Sequence, residues 1–316
     1  MTQFIIRRAL FSVLVLVIVS AMIFAMMRLI PGSPAVAVYG ADITAEQVQQ
    51  FDHDHGLDRP IPLQFLSWIA DVIFHGDFGK SFITDRSISP QVARVFPVTL
   101  EIVVLGFLFT ISIAVPLGIL SATRNGGLID HAARIFAVVG VSVPGFWLGL
   151  MLIVYGAVRL RLFPAGGIAP LSQGLGRHLW SLMLPAVSLG IYYTAIISRM
   201  MRSTLLETLS QDYVRTARAM GLSAWRVLLY ALKNALIPVV SVSAMAVGFM
   251  FGWAIVIEQV FDIGGISRLL LSAIFQRDYN TVQAVVLVIT AIFVASNLLA
   301  DILYGILNPK ISVAGR

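Results

Sequence analysis

The chain has no cysteine among its 316 residues, which excludes disulfides and thiolate metal sites and leaves the redox compartment unread. Charge is nearly as scarce: Asp, Glu, Lys and Arg make up 12% of the residues against 58% hydrophobic, and the mean hydropathy is +0.90. A soluble core and surface cannot share that much apolar sequence, so the chain is read as an integral membrane protein. Internal repeats, low-complexity tracts and the alternating polarity of a transmembrane barrel are absent too. An inverted repeat of the kind found in secondary transporters is likewise not evident.

What remains is long apolar runs. Crossing a bilayer takes roughly 20 residues of helix, and six windows free of Asp, Glu, Lys and Arg have about that length: Ala9–Met27, Ile102–Thr123, Ile135–Val158, Leu179–Ser198, Ala235–Ile257 and Tyr279–Ala300. The expectation is an all-α protein with six transmembrane helices. Arg7 and Arg8 precede the first window as they would in a signal peptide. That window is longer than a secretory core of about 7 to 15 residues, and no small-x-small cleavage site follows, so it is taken as a retained span.

Basic residues set the orientation. With the amino terminus cytoplasmic, Arg7, Arg8, Arg124, Arg134, Arg199, Arg202, Arg215, Arg218, Arg226, Lys233, Lys310 and Arg316 lie inside, 12 of the 22 Lys and Arg. Four others (Arg59, Lys80, Arg86, Arg94) belong to an outer loop too long to count, which leaves 6 on the short outer flanks. Both termini are therefore expected in the cytoplasm, with 1–30 as the first span, 31–95 as an outer loop, 96–308 as a five-span core and 309–316 as a tail.

The outer loop holds Asp42, Glu46, Asp52, Asp54, Asp58, Asp71, Asp77 and Asp85. Pro60 and Pro62 mark a turn, and Phe65, Leu66, Trp68, Ile69, Val72 and Ile73 have the spacing of a short amphipathic helix, so an ordered cap is expected. Two motifs in it mislead. Phe78 to Ser81 resembles the end of a phosphate-binding loop, but that loop needs a glycine where Phe74 stands; a glycine turn is expected instead. Asp52, His53, Asp54 and His55 are metal-ligand types, yet two apart and beside Gly56 they read as loop polarity.

No catalytic constellation lies inside the spans. Buried acids in lipid are costly and usually functional, and Glu101, Glu258 and Asp301 sit at or near span ends, as interfacial or packing carboxylates do. The spans do carry helix breakers: Pro116 with Gly118, Pro144 with Gly145, Pro185, Pro238, and Gly140, Gly149, Gly190, Gly248 and Gly252. Each fits close helix packing; together they fit a bundle that changes shape around a pathway.

The one polar interruption of the core runs from Arg202 to Lys233 on the expected cytoplasmic side, within a coupling segment taken as 202–235. Ser210 reads as an N-cap, Asp212 suits the first turn of a helix, Gly221 is placed to end it, and Ser223 to cap the next. The spacing predicts a helix of about ten residues, with Tyr213, Val214, Ala217 and Met220 on one face and Arg215 and Arg218 on another. Its apolar face is thin for a membrane-surface helix, so a protein partner is expected.

These residues resemble the inner-membrane permease subunits of ABC importers, in the peptide and nickel branch of the binding-protein-dependent type. The branch's Arg-Thr-Ala-Arg-Ala-Lys-Gly-Leu stands here as Arg215 to Leu222 with Met220 for lysine, closing at Asn234 to Pro238. Thr216 occupies the place of the glutamate of the general signature. The likeness continues through Leu29 to Gly32, Gly56 to Asp58 with Pro60, Gly76 to Gly79, Pro144 with Phe146 and Gly149, Leu184–Pro185, Val256 to Phe261, Arg277 to Tyr279 with Gln283, and Asn297 to Tyr304. Departures are Ile263–Gly265 for Pro-Gly-x-Gly, Tyr230 for a histidine, and Tyr192–Tyr193 where small residues are usual.

The resemblance implies a type I importer permease in the bacterial inner membrane, itself non-catalytic and without a bound cofactor. It implies four partners: a homologous second permease, one or two ATPase subunits holding ATP and Mg²⁺, an extracytoplasmic solute-binding protein, and lipid. No nucleic-acid partner is expected. Asp212, Tyr213, Arg215, Thr216, Ala217, Arg218, Gly221 and Leu222 would couple to the ATPase, and Pro144, Gly145, Pro185, Tyr192, Tyr193, Pro238, Gly248 and Gly252 are pathway or hinge candidates. Peptides lead as solute, with glutathione, opine-like conjugates and nickel chelates as alternatives. A stand-alone channel or secondary carrier would carry charged groups deep in its spans, which this chain lacks; an exporter would carry a fused nucleotide-binding domain or lack the outer loop and the cytoplasmic signature.

Overall fold

The computed structural model of the chain describes residues 2–30, 33–40 and 42–307. Pro31, Gly32 and the 309–316 tail with Lys310 and Arg316 lie outside the described residues. The described chain is helical: α1 (Thr2–Leu29), α2 (Ala35–Tyr39), α3 (Ala45–Asp54), α4 (Ile61–His75), α5 (Ile88–Thr123), α6 (Leu128–Ser142), α7 (Gly145–Leu152), α8 (Leu175–Leu209), α9 (Asp212–Ala219), α10 (Ala224–Val260), α11 (Ile266–Phe275) and α12 (Tyr279–Leu307). A wide π turn over Ile153–Arg159 continues α7, and a single 3₁₀ turn at Leu171–Gln173 precedes α8.

Five helices, α1, α5, α8, α10 and α12, are long and apolar enough to cross a membrane. The sixth expected span differs. Instead of one helix over Ile135–Val158, the chain bends by 101° between Leu128–Ser142 and Gly145–Arg159, giving six crossings if the bent pair is one span. Proline is the cause: Pro144 has no N–H to continue the ladder, and its ring pushes Val143 to an extended ψ of 122°. Pro185 and Pro238 lie inside α8 and α10, which run on without a break.

The chain divides into two compact units. One comprises 1–9, 101–263 and 295–316. Its central member is α8, against which α6, α7 and α10 pack. Helices approach closely where side chains are small: a Cβ on Gly190 of α8 would lie 2.7 Å from the Gly106 carbonyl oxygen, and Thr110 Oγ1 donates to the Gly190 carbonyl at 2.9 Å.

Charge inside this unit is paired. The wholly buried Asp130 accepts hydrogen bonds from Ser121 Oγ (2.7 Å), the Gly126 amide (3.0 Å) and Arg202 Nη2 (2.9 Å), with Arg202 Nε bonded as well. Arg202 Nη2 also donates to Asn125 Oδ1 at 3.0 Å. This network ties the α5–α6 turn to α8. Of the three acids singled out in the sequence, Glu101 meets His178 Nε2 at 3.0 Å, Asp301 pairs with Arg8 at 2.9 Å, and Glu258 is fully buried. Asp130 carries no such signal in the sequence, because its partner is 72 residues away.

The other unit comprises 10–100 and 264–294. Here the expected outer loop folds into α2, α3 and α4, and α5 already starts at Ile88. Ala35, Phe51, Phe82 and Tyr279 form a buried cluster, flanked by Met27, Val38, Ile43, Val48 and Leu57. Thr44 and Gln47 make a reciprocal capping box that starts α3. Pro60 is the N-cap of the expected amphipathic helix α4, and Pro62 sits in its first turn. Gln64 on α4 accepts from Arg28 Nε at 2.8 Å and donates to the Leu57 and Arg59 carbonyls.

The two misleading motifs have structural roles in this unit. Gly79, at φ +85°, makes the turn that lets Lys80 pair with Ser87. The Asp-His-Asp-His run points in several directions: Asp52 accepts from Ser33 Oγ, His53 Nδ1 meets Asp58 Oδ2 at 2.9 Å, and His55 stacks on Phe51. Hydrogen bonding to Asp58 raises the His53 pKa and lowers that of Asp58. No group of three His, Cys, Asp or Glu among the described residues is placed to hold a metal ion.

Candidate functional site

The polar interruption folds as α9 set between the two longest helices of its unit, α8 and α10, with contacts to both. It has eight residues, about 12 Å at 1.5 Å per residue. One expectation about its start is corrected. Ser210 is the C-cap of α8, its hydroxyl donating to the Glu207 carbonyl at 2.7 Å, and Gln211 is the N-cap of α9, in extended conformation and without a side-chain bond. Ser223 does hold the N-cap position of α10, again without a side-chain bond.

The end of α9 is built as the sequence suggests. Gly221 adopts φ +77°, the Leu222 amide reaches back to the Ala217 carbonyl at 3.2 Å, and the Gly221 amide to the Arg218 carbonyl at 3.0 Å. That pair of bonds is the Schellman arrangement, which satisfies carbonyls that otherwise end a helix unpaired. A Cβ at residue 221 would meet open space, so the demand for glycine comes from the backbone angle alone.

The faces of α9 divide differently from the expected pattern. Val214 is 1% exposed and anchors the helix inward, with Ala217 half-buried. Tyr213 and Met220, grouped with them by spacing, are instead exposed, at 41% and 74%. Burial follows the neighbours on α8 and α10, which a helical wheel does not contain. Tyr213 is also held: its hydroxyl accepts from Asn234 Nδ2 at 2.9 Å, so α9 is bonded to α10 as well as packed on it. The outward surface therefore presents Asp212, Tyr213, Arg215, Thr216, Arg218 and Met220, with Leu222 half-buried at its end. Asp212 and Arg215 lie 3.6 Å apart, and the Thr216 hydroxyl is turned back to the Asp212 carbonyl at 3.0 Å.

Four pathway candidates come together at the bent span. Pro144, Gly145, Tyr192 and Tyr193 line a cavity of about 210 Å³ with Trp253 and Ser188. Trp253 was not foreseen, because nothing near it in sequence marks it. The other four candidates stand apart from that lining: Pro185 is buried in α8, Pro238 is half-buried in α10, Gly248 is buried, and Gly252 faces open space.

Comparison with known proteins decides the family. Residues 114–313 match the binding-protein-dependent transport system inner membrane component, and residues 1–103 match the N-terminal component of the same system. The chain belongs to this permease family.

Relatives match the permease from end to end. It is 36% identical over 312 residues to a probable peptide ABC transporter permease protein of Sinorhizobium fredii, with 98% of this chain and 99% of the relative covered. It is 36% identical over 336 residues to a dipeptide transport system permease protein of Escherichia coli, and 34% over 315 to an oligopeptide transport system permease protein of Bacillus subtilis, with the same coverage. A solved structure titled as inward-facing conformations of the MetNI methionine ABC transporter superposes with a TM-score of 0.56 at 18% identity, covering 69% of this permease and 96% of that chain. The permease therefore has the fold of an ABC importer membrane subunit.

Proposed function

We propose that this permease forms half of the translocation pathway of an ATP-driven importer of di- and oligopeptides, and that α9 is where ATPase subunits engage it. The peptide assignment rests on the names of full-length relatives. The coupling assignment is carried by one observation: α9 is short, outward-facing and fixed at both ends, by the Tyr213–Asn234 bond and the turn at Gly221. Ala217 and Gly221 set its geometry, Leu222 closes the turn, and Arg215 and Arg218 offer guanidinium donors to acidic or carbonyl groups on the partner.

The chain itself catalyses nothing in this scheme. ATP and Mg²⁺ sit on the ATPase subunits, a second permease completes the pathway, and a binding protein delivers peptide to the extracytoplasmic side. Both termini lie in the cytoplasm beneath the inner membrane. ATP-driven closure of the partner shifts the spans because α9 makes different contacts with it in its two states.

Gly221→Val tests the role of α9. A β-branched residue at φ +77° is strained by about 1–2 kcal/mol. In proteoliposomes containing the whole complex, the variant should insert and assemble but lose peptide-stimulated ATP hydrolysis. Coupling at the wild-type level would overturn the assignment.

A further inference from the structure

The bend at Pro144 leaves polar backbone where none should be left without reason. The amides of Gly145, Phe146 and Trp147 open α7, so they have no acceptor within the helix, and Pro144 supplies no side-chain cap. Broken backbone at membrane depth is tolerated where it lines a cavity, and Pro144 and Gly145 line the one of about 210 Å³. Tyr193 lines the same cavity from α8 while only 5% exposed, and its hydroxyl bonds to nothing among the described residues. Tyr192 and Trp253 are both on the lining, and among the described residues neither the Tyr192 hydroxyl nor the Trp253 indole N–H has a hydrogen-bond partner. Ser142 and Ser188, also on it, are accounted for, since they donate to the Val138 and Leu184 carbonyls at 2.8 Å.

The lining is thus rich in neutral donors, and it contains no acid, lysine, arginine or histidine. Such a set fits a neutral oxygen acceptor beside an apolar group. We propose that this cavity is a transit subsite for peptide, in which the Gly145 amide and the Tyr193 hydroxyl donate to a main-chain carbonyl oxygen while Trp253 and Tyr192 face a side chain. Resting on the peptide-importer reading above, this adds how peptides of differing sequence share one route: every peptide carries main-chain carbonyls, and main-chain bonds give affinity without selecting side chains. The absence of a fixed charge keeps the subsite weak enough to release what it holds, as a conducting site must.

The test uses the assembled complex with its binding protein in proteoliposomes. Its probes are a dipeptide and the same dipeptide with the peptide carbonyl reduced to methylene. Tyr193→Phe removes only the hydroxyl, and Gly145→Ala adds a methyl whose nearest contact is the Ser188 carbonyl oxygen at an ordinary 3.4 Å. For the wild type, the transport ratio of dipeptide to reduced analogue includes the binding protein's own preference. A change in that ratio with the same binding protein belongs to the permease. Tyr193→Phe should lower the ratio about three- to tenfold, as loss of one hydrogen bond does, and Gly145→Ala should lower it too, with assembly and basal ATP hydrolysis retained. Ratios equal to the wild type in both variants would overturn the subsite while leaving the importer assignment standing. A wild-type complex that transports no peptide would overturn the peptide assignment, and the subsite with it.

Discussion

At Pro144 the permease turns through 101°, whereas at Pro185 and Pro238 its helices run on. The residue is the same and so is the lost hydrogen bond, so the difference lies in the surroundings. Pro185 sits in a stretch of α8 where Leu182, Leu184, Ala186, Ser188 and Leu189 are all buried, and that packing offsets one missing bond. Around Pro144, residues Ser142, Phe146 and Trp147 are exposed, and a glycine follows. Nothing there holds the two halves in line, so the ring's preference decides. Proline in a span marks where a helix is able to break, and packing selects whether it does.

The first half of the bent span is moored to α8 by the Asp130–Arg202 pair, so Asp130→Ala should have the largest effect: about 3 kcal/mol of destabilisation, read as a fall in the unfolding midpoint of the detergent-solubilised complex. The low end of the usual range applies because the Arg202 side chain is 22% exposed and keeps Asn125. Pro144→Ala comes next. Without proline a helix interior gains up to about 3 kcal/mol, so α6 and α7 should tend to join, lowering peptide transport about tenfold or more without a fall in the unfolding midpoint. Unchanged transport would mean that the bend is set elsewhere. Pro185→Ala should do least, shifting stability by about 1 kcal/mol or less with transport intact. A large loss there would show that the α8 proline is a working hinge.

Much of this was legible in the chain itself, for identifiable reasons. Five of the six apolar windows become membrane-length helices, because length against bilayer thickness is a local property. The turn at Gly221 is legible for the same reason: one residue type tolerates the angle. The start of α9 is not, since Ser210 is the better capping type but α8 extends to Leu209 and leaves the position to Gln211. The exposure of Tyr213 and Met220 depends on α8 and α10, and the Asp130–Arg202 pair on residues far apart in sequence. The cavity gathers Pro144, Tyr193 and Trp253 from three elements, so its lining is written in the fold and in no single motif.

The turn at Gly221 has a mechanical consequence. Because its bonds close the end of α9 back on itself, the backbone of that turn is already fixed, and docking would cost mainly the side-chain freedom of its exposed residues. A stiff strut transmits displacement where a slack one absorbs it. If a partner pushes on α9 as proposed, the load would pass to α8 and α10, the two helices it contacts.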